Sequence, residues 1–144
     1  MATRYFYTVS SVSLDPSRDY PLGTSRPDLV RTPGGISLDE LELHGEQVTA
    51  GELRATPETL RLQATIARDA GRAQLADNLL RAAELAPLPD ETILAIYTAL
   101  RPRRSTAAEL EAWAAELESR NAPASAVFVR EAAQAYAERG LLAG

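Results

Sequence analysis

The chain has 144 residues, a net charge of −5 at pH 7, no cysteine and a single histidine, His44, and all 15 of its basic residues are arginines. This length predicts one domain with a modest core, and the acidic balance argues against a general nucleic-acid-binding protein. The absence of cysteine, lysine and a second histidine excludes disulfides, thiolate and Schiff-base catalysis, and multi-histidine metal sites. No apolar run is long enough to span a bilayer and no secretory signal is recognisable, so we expect a cytoplasmic protein without a membrane partner.

Residues 1–48 predict an irregular, extended N-terminal arm. Prolines recur every few residues from position 16 to position 33, and each one fixes φ and removes a backbone donor, which prevents a long helix. The alternation over Arg4–Val12 is compatible with a strand and with a disordered lead-in. The capping-box spacing of Ser37–Glu40 predicts one helical turn that Gly45 ends. We expect the arm to pack along the helical part of the chain or across a partner.

Residues 49–144 predict a helical domain, and the fold class is all-α: a small open bundle of about five helices with short connections. A capping-box spacing at Thr49–Glu52 predicts a single turn that leads into it. Start and stop signals delimit each long helix: N-caps, prolines in first turns, and glycines or prolines after the last turn. The predicted helices are Pro57–Ala70, Arg72–Leu85, Asp90–Leu100, Thr106–Ser119 and Ala124–Arg139.

The apolar residues of these helices recur at helical spacing and predict the core. Most helices carry one apolar stripe, and on these stripes we expect Trp113, Phe128, Val129 and Tyr136 to face inward. In the second helix the stripe is expected at Leu75, Leu79, Ala82 and Ala83. The third helix, Asp90–Leu100, is apolar on most of its circumference, which is typical of a helix that packs on more than one side. We therefore expect Tyr97 or Ile96 to be partly exposed in the isolated chain and buried in a complex.

Acidic side chains occur in pairs, but the pattern does not predict a catalytic or metal site. Carboxylates that act as acid and base need an environment that separates their pKa values. Each pair here falls in the first turn of a helix or on an exposed face, which favours solvated surface. A metal site at Glu109 and Glu116 would need ligands from another helix. The pairs are Asp39 with Glu40, Asp90 with Glu91, Glu109 with Glu111, and Glu116 with Glu118.

The other polar candidates are explained by surface position, caps and turns. His44 lies in a predicted loop, and no histidine or lysine is available to activate the hydroxyls of Ser10, Ser11, Ser105, Thr106 and Ser125. The cluster Arg101, Arg103 and Arg104 is compatible with a nucleic-acid contact or with favourable cations at a helix C-terminus, and the acidic chain favours the second. We predict no catalytic, cofactor-binding or metal-binding residue in this chain, and a helical module that binds another protein.

Several blocks of residues, taken in their order and spacing, resemble the small (gamma) subunit family of adenosylcobalamin-dependent propanediol and glycerol dehydratases. The resemblance covers roughly residues 20–140 and rests on the set of blocks, since no single block is diagnostic. The blocks are Tyr20–Leu22, Leu29–Pro33 with Ser37 and Leu38, Thr56–Gln63, Ile66 and Ala67 with Ala70–Arg72, Arg81–Leu85, Pro89–Glu91, Ile93 and Leu94, Ile96 and Tyr97, Ala99–Pro102, Arg104 and Ser105, Phe128–Ala133, Tyr136, and Glu138–Gly140.

The resemblance implies a hydro-lyase complex that converts 1,2-propanediol to propionaldehyde and water by a radical mechanism. It further implies a large subunit with the active site in a barrel, adenosylcobalamin bound between the large and medium subunits and not by this chain, and a dimer of heterotrimers. The small subunit contributes no catalytic side chain in this family. Many microcompartment-associated members carry a longer N-terminal extension than the matched region here, so enclosure in a bacterial microcompartment remains open.

Two alternatives differ from this interpretation. A glycerol dehydratase small subunit would share the same family features, because the large subunit sets the substrate. A free-standing helical protein-interaction adaptor, unrelated to any enzyme, would share the scarcity of catalytic side chains.

Overall fold

The structure is a computed structural model that describes residues 12–144, apart from the side chains at positions 42 and 47. In this part of the chain the regular elements are helices, together with one isolated antiparallel bridge between Arg31 and Ser37. The all-α prediction is confirmed. Two one-turn helices, α1 and α2, precede five long ones. Their bounds are α1 Pro16–Asp19, α2 Leu22–Ser25, α3 Pro57–Asp69, α4 Ala73–Leu85, α5 Asp90–Ala99, α6 Ala107–Ser119 and α7 Pro123–Arg139.

The arm packs against the helical part of the chain over the residues that the structure describes. Leu22 of α2 is fully buried, and α1 and α2 both contact α3. The backbone N–H of Arg31 donates to Thr59 Oγ1 of α3 at 3.3 Å. Of the two positions expected for the arm, these contacts agree with packing along the helical part of the chain. The predicted alternation at Arg4–Val12 falls almost entirely outside the described residues.

The sequence predicts two short turns in and beside the arm, and the structure contains both but continues the first one past its predicted end. The turn at Thr49–Glu52 is closed by the backbone N–H of Glu52, which donates to the carbonyl of Thr49 at 3.0 Å. The Glu52 side chain does not complete a capping box there, since its Oε2 accepts the backbone N–H of Gly34 at 3.0 Å and so joins the loop before α3 to the arm. The Ser37 hydroxyl does bond the Glu40 carboxylate at 2.6 Å. The segment that follows is a 3-10 helix, Leu41–Gln47, which passes through Gly45 instead of ending there.

The long helices begin and end at the residues that local chemistry predicts. Thr56 caps α3 by accepting the backbone N–H of Thr59, and Gly71 follows α3 with φ of 79°. Thr106 and Glu109 form a reciprocal capping box at α6. Gly140 ends α7 with φ of 65°, a left-handed conformation that costs glycine little. These caps satisfy backbone groups that a helix end would otherwise leave unpaired.

The core consists of two clusters. In one, Ala64 and Ala67 of α3 meet Ala76 of α4, and these small side chains let the two helices approach closely. The larger cluster joins α5, α6 and α7, with Leu110, Ala114 and Leu117 of α6 among its fully buried members. Because α4 also contacts α7, the two clusters are joined through α4.

The buried stripes of α4 and α7 differ from the predicted ones. On α4 the buried residues are Ala76 and Ala83, whereas Leu75 and Ala82 are exposed, so the core-facing side is rotated by about one residue. On α7 Val129 is buried while its neighbour Phe128 is 43% exposed. Adjacent helical residues point about 100° apart, so only one of the two can face the core.

The two other aromatic residues expected in the core are half-buried. Trp113 and Tyr136 both pack against the larger cluster. The Tyr136 hydroxyl donates to the backbone carbonyl of Leu100, just after α5. An amphipathic phenol of this kind satisfies an orphan carbonyl at a helix end and packs its ring at the same time.

Candidate functional site

Most of the acidic residues singled out from the sequence take part in caps and surface ion pairs. The structure does not gather them: within residues 12–144 there is no group of three or more histidine, aspartate or glutamate side chains placed to hold a metal ion. The Glu109 carboxylate accepts the Thr106 backbone N–H at 2.8 Å, which lowers the pKa of Glu109. Asp90 pairs with Arg54 at 3.3 Å, and Glu116 pairs with Arg120 at 2.7 Å.

Arg130 of α7 bridges two glutamates of α6. Its guanidinium lies 2.7 Å from Glu111 and 2.5 Å from Glu118. Hydrogen bonds from Arg130 lower the pKa of both carboxyl groups, and the two carboxylates raise the pKa of Arg130. Both glutamates therefore stay ionised and hold α6 against α7, an arrangement that stabilises structure and does not suit proton transfer.

The hydroxyl and imidazole candidates also have structural surroundings. Ser105 is buried and its hydroxyl donates to the carbonyl of Ala99, which fixes the turn after α5. Ser125 is buried and donates to Glu84. His44 lies half-buried in the 3-10 segment of the arm. Ser10 and Ser11 lie outside the residues that the structure describes.

The basic cluster lies in the exposed turn that follows α5. Arg101, Arg103 and Arg104 are all exposed, and Arg103 has φ of 61°. The backbone N–H of Arg103 donates to the carbonyl of Leu141 at 2.7 Å, so the turn is tied to the segment after α7. The three arginines lie next to the C-terminus of α5, where cations interact favourably with the negative end of the helix dipole.

The side of α5 that points away from the core exposes two large apolar residues, Leu94 and Tyr97, beside the polar Glu91 and Thr98. Ile96 is buried among residues of α6 and α7, but Leu94 is 66% exposed and Tyr97 is 62% exposed. The expectation that Tyr97 or Ile96 would be partly exposed is confirmed at Tyr97. Positions 94 and 97 are three residues apart and share one side of the helix. Large apolar side chains clustered on a surface mark a binding site more often than scattered single ones do.

A groove with a volume of about 300 Å³ lies beside this face, between α4, α5 and α7. Its floor consists of buried core residues, including Ile96, Leu117 and Val129. Its rim includes Tyr97 from α5 and Phe128 from α7. The lining is mostly apolar and contains no acidic residue. We call this feature, together with Leu94, the α4–α5–α7 groove.

Arg81 of α4 lies on the rim of the α4–α5–α7 groove. Its guanidinium stands 4.8 Å from the centre of the Phe128 ring and donates a hydrogen bond to the Asn78 side chain. Among the described residues no carboxylate lies within 4.0 Å of Arg81, in contrast to Arg68, which pairs with Asp77 at 2.6 Å. Sequence reasoning missed this arrangement, because it assigned Phe128 to the core and gave Arg81 no role.

A second cleft, of about 250 Å³, lies between the arm and α3. Leu53 on its edge is 69% exposed, and Leu38 is exposed nearby. The cleft joins residues of the arm to residues of α3, so it belongs to the contact that holds the arm in place. None of the helices in residues 12–144 has both the length and the apolar character of a membrane-spanning segment.

Comparison with known proteins identifies the family. Residues 16–143 match the family described as "Dehydratase small subunit". This chain belongs to the dehydratase small-subunit family. It is 54% identical over 130 residues to the propanediol dehydratase small subunits of Salmonella typhimurium and Citrobacter freundii. The matches cover 88% of this chain and 75% and 76% of those two proteins.

The family assignment confirms the resemblance drawn from the residue blocks. A small subunit of a dehydratase works with other subunits, so a partner-binding surface is required of this chain. The α4–α5–α7 groove has the apolar exposed residues that such a surface needs.

Proposed function

We propose that this chain is the small structural subunit of a diol dehydratase, a hydro-lyase that converts 1,2-propanediol to propionaldehyde and water with adenosylcobalamin. The observation that carries the proposal is the 54% identity over 88% of the chain to two propanediol dehydratase small subunits. The fold supports it, because the described helices offer an exposed apolar surface and use their polar groups in caps and ion pairs.

In this proposal the radical chemistry takes place on the other subunits. The α4–α5–α7 groove does not fit adenosylcobalamin: its 300 Å³ are far too small for a corrin ring with its nucleotide arm, and its lining has few groups to bond the amide side chains of the ring. The groove residues have no acid–base pair either. We propose that this chain contributes no catalytic, cofactor-binding or metal-binding residue and that its role is to support the shape of the complex.

The proposed partners are the large and medium dehydratase subunits, in a dimer of heterotrimers. Nucleic acid is not among the proposed partners, because a chain with a net charge of −5 is repelled by the phosphate backbone. The proposed location is the cytoplasm, with enclosure in a bacterial microcompartment as a further possibility for the complex.

Both alternatives have less support. The two relatives are named for propanediol, which does not favour a glycerol dehydratase. A free-standing adaptor does not agree with membership of a dehydratase subunit family.

Co-expression tests the proposal. An affinity-tagged copy of this chain should co-purify with the co-expressed large and medium subunits of the dehydratase, in equal molar amounts. The tagged chain alone should form no aldehyde from 1,2-propanediol in the presence of adenosylcobalamin. Purification of the tagged chain without either subunit would overturn the proposed function.

A further inference from the structure

We propose that the α4–α5–α7 groove receives a segment of another dehydratase subunit that inserts a large apolar side chain beside Tyr97 and places a carboxylate against Arg81. The inference rests on the proposed function, because it takes its partner from the dehydratase complex. Beyond the proposed function, it identifies the surface of this chain that binds the other subunit and the chemistry of the segment that is bound.

The apolar part of the inference rests on exposure and on shape. Leu94, Tyr97 and Phe128 place three large apolar side chains at or beside one groove, and the floor beneath them is already packed core. Burial of such side chains stabilises a complex by roughly 25 cal/mol per Å² of apolar surface removed from water. A cavity of about 300 Å³ accommodates one or two large apolar side chains, as expected of an anchor site at the centre of an interface.

The groove walls are held in place before a partner arrives. The C-terminal end of α5 is fixed by the Tyr136 hydroxyl on the Leu100 carbonyl and by the Ser105 hydroxyl on the Ala99 carbonyl. The first turn of α7, which carries the groove residue Ser125, is fixed by the Glu84 side chain of α4, which lies outside the groove lining. A site with fixed walls binds at a smaller cost in conformational entropy.

The charged part of the inference rests on Arg81. The other rim groups cannot neutralise it, since the groove lining has no carboxylate and, within the part of the chain that the structure describes, Arg81 contacts the Phe128 ring and the Asn78 amide but no acidic side chain. Arginine stacked on an aromatic ring keeps its planar donors free at the edge, where they match a carboxylate in a two-point contact. Arginine and aromatic residues are also enriched among side chains that dominate binding energy.

A second copy of this chain is a poorer occupant. In a twofold contact of the groove with itself, each Arg81 would face a lining without acidic residues, and the two guanidinium groups would approach each other. The charge of −5 on each copy adds long-range repulsion. The complementary carboxylate must therefore come from a different chain.

Site-specific photo-cross-linking in the co-expressed complex tests the occupant. A benzophenone side chain replaces Tyr97, and mass spectrometry identifies the chain to which it is joined. A cross-link to another dehydratase subunit, at a segment with a large apolar residue next to an aspartate or glutamate, is the expected result. A cross-link to a second copy of this chain, or none in a complex that forms, would overturn the inference alone.

A charge reversal tests the role of Arg81. In the co-expressed complex, Arg81→Glu should reduce the retained amount of the other subunits by about tenfold or more, because two carboxylates would then face each other at the interface. The matched control is Arg61→Glu, an exposed α3 position outside the groove. Changing the cross-linked carboxylate to arginine should restore retention with Arg81→Glu. Retention of Arg81→Glu equal to that of the control would overturn the inference, whereas failure of the unaltered chain to co-purify would overturn the proposed function itself.

Discussion

Glu84 of α4 caps the N-terminus of α7 through Ser125. Its Oε2 accepts both the backbone N–H and the hydroxyl of Ser125 at 2.8 Å, and its Oε1 accepts the backbone N–H of Ala124 at 3.0 Å. The residue before α7, Ala122, has no side chain that could do this. One carboxylate from another helix thus satisfies unpaired donors of α7 and lies at the positive end of its dipole.

Removal of this cap should destabilise the chain. Glu84→Ala should lower the free energy of unfolding by about 1–2 kcal/mol, because a helix cap is lost and the donors of residues 124 and 125 become unpaired. Glu84→Gln should cost less, since one amide oxygen still accepts. Urea denaturation followed by circular dichroism measures both values. The control Glu131→Ala, at an exposed position of the capped helix α7, should change the free energy of unfolding by less than about 0.5 kcal/mol. A loss for Glu131→Ala as large as that for Glu84→Ala would contradict the capping role.

Two leucines should separate packing from binding. Leu117→Ala should cost about 2–5 kcal/mol in the isolated chain, because Leu117 is fully buried in the larger core cluster. Leu94→Ala should cost less than about 0.5 kcal/mol there, because Leu94 is mostly exposed, yet it should weaken retention of the other subunits. Thermal unfolding and co-purification of the same two variants provide the comparison. A large loss of stability for Leu94→Ala would show that this residue belongs to the core.

The arm should lose stability in acid through Asp19. Hydrogen bonds from the Arg18 side chain and from the backbone N–H of Asp15 lower the pKa of Asp19 from 3.8 to about 2. As pH falls, Asp19 is therefore protonated in the unfolded chain before it is protonated in the folded one. The contribution of ionised Asp19 to the free energy of unfolding is present above about pH 4 and disappears as pH falls toward 2.

Denaturation at several pH values should reveal this dependence. Asp19→Asn should be less stable than the unaltered chain at pH 7, and the difference between the two should shrink between pH 4 and pH 2. A constant difference across that range would exclude the Asp19 charge as its cause.

The Arg130 bridge should be sensitive to salt. Arg130→Ala should lower the melting temperature at low ionic strength, because Glu111 and Glu118, which lie on the same side of α6, lose their shared cation and repel each other. The loss should be smaller in about 1 M salt, where exposed charges are screened. Calorimetry at the two salt concentrations checks this, with Arg61→Ala as the control of equal charge change. A loss of the same size at both salt concentrations would mean that Arg130 acts through packing.

The bounds of α3 and the start of α6 were predictable because their causes are local. Thr56 and Gly71 lie at the two ends of α3, and Thr106 and Glu109 are only three residues apart at α6. A cap acts within one turn, so it is visible in a short stretch of sequence. The family was predictable for a different reason, since the blocks that carry it occur over most of the chain.

The contacts between distant parts of the chain were not predictable from local pattern. Glu84 and Ser125 are 41 residues apart, and Gly34 and Glu52 are 18 apart, so their pairing depends on how the helices pack. Phe128 was misassigned because the predicted stripe on α7 included both Phe128 and Val129, although adjacent helical residues point about 100° apart and only Val129 faces the core. Tertiary packing decides such cases, and with it which aromatic residue remains at the surface.

Reconstitution of activity tests the central proposal most directly. Large and medium subunits are purified without this chain and assayed for aldehyde formation from 1,2-propanediol with adenosylcobalamin, before and after addition of this chain in equal molar amount. We expect little or no aldehyde from the two subunits alone and full activity after the addition. Full activity without this chain would contradict the account.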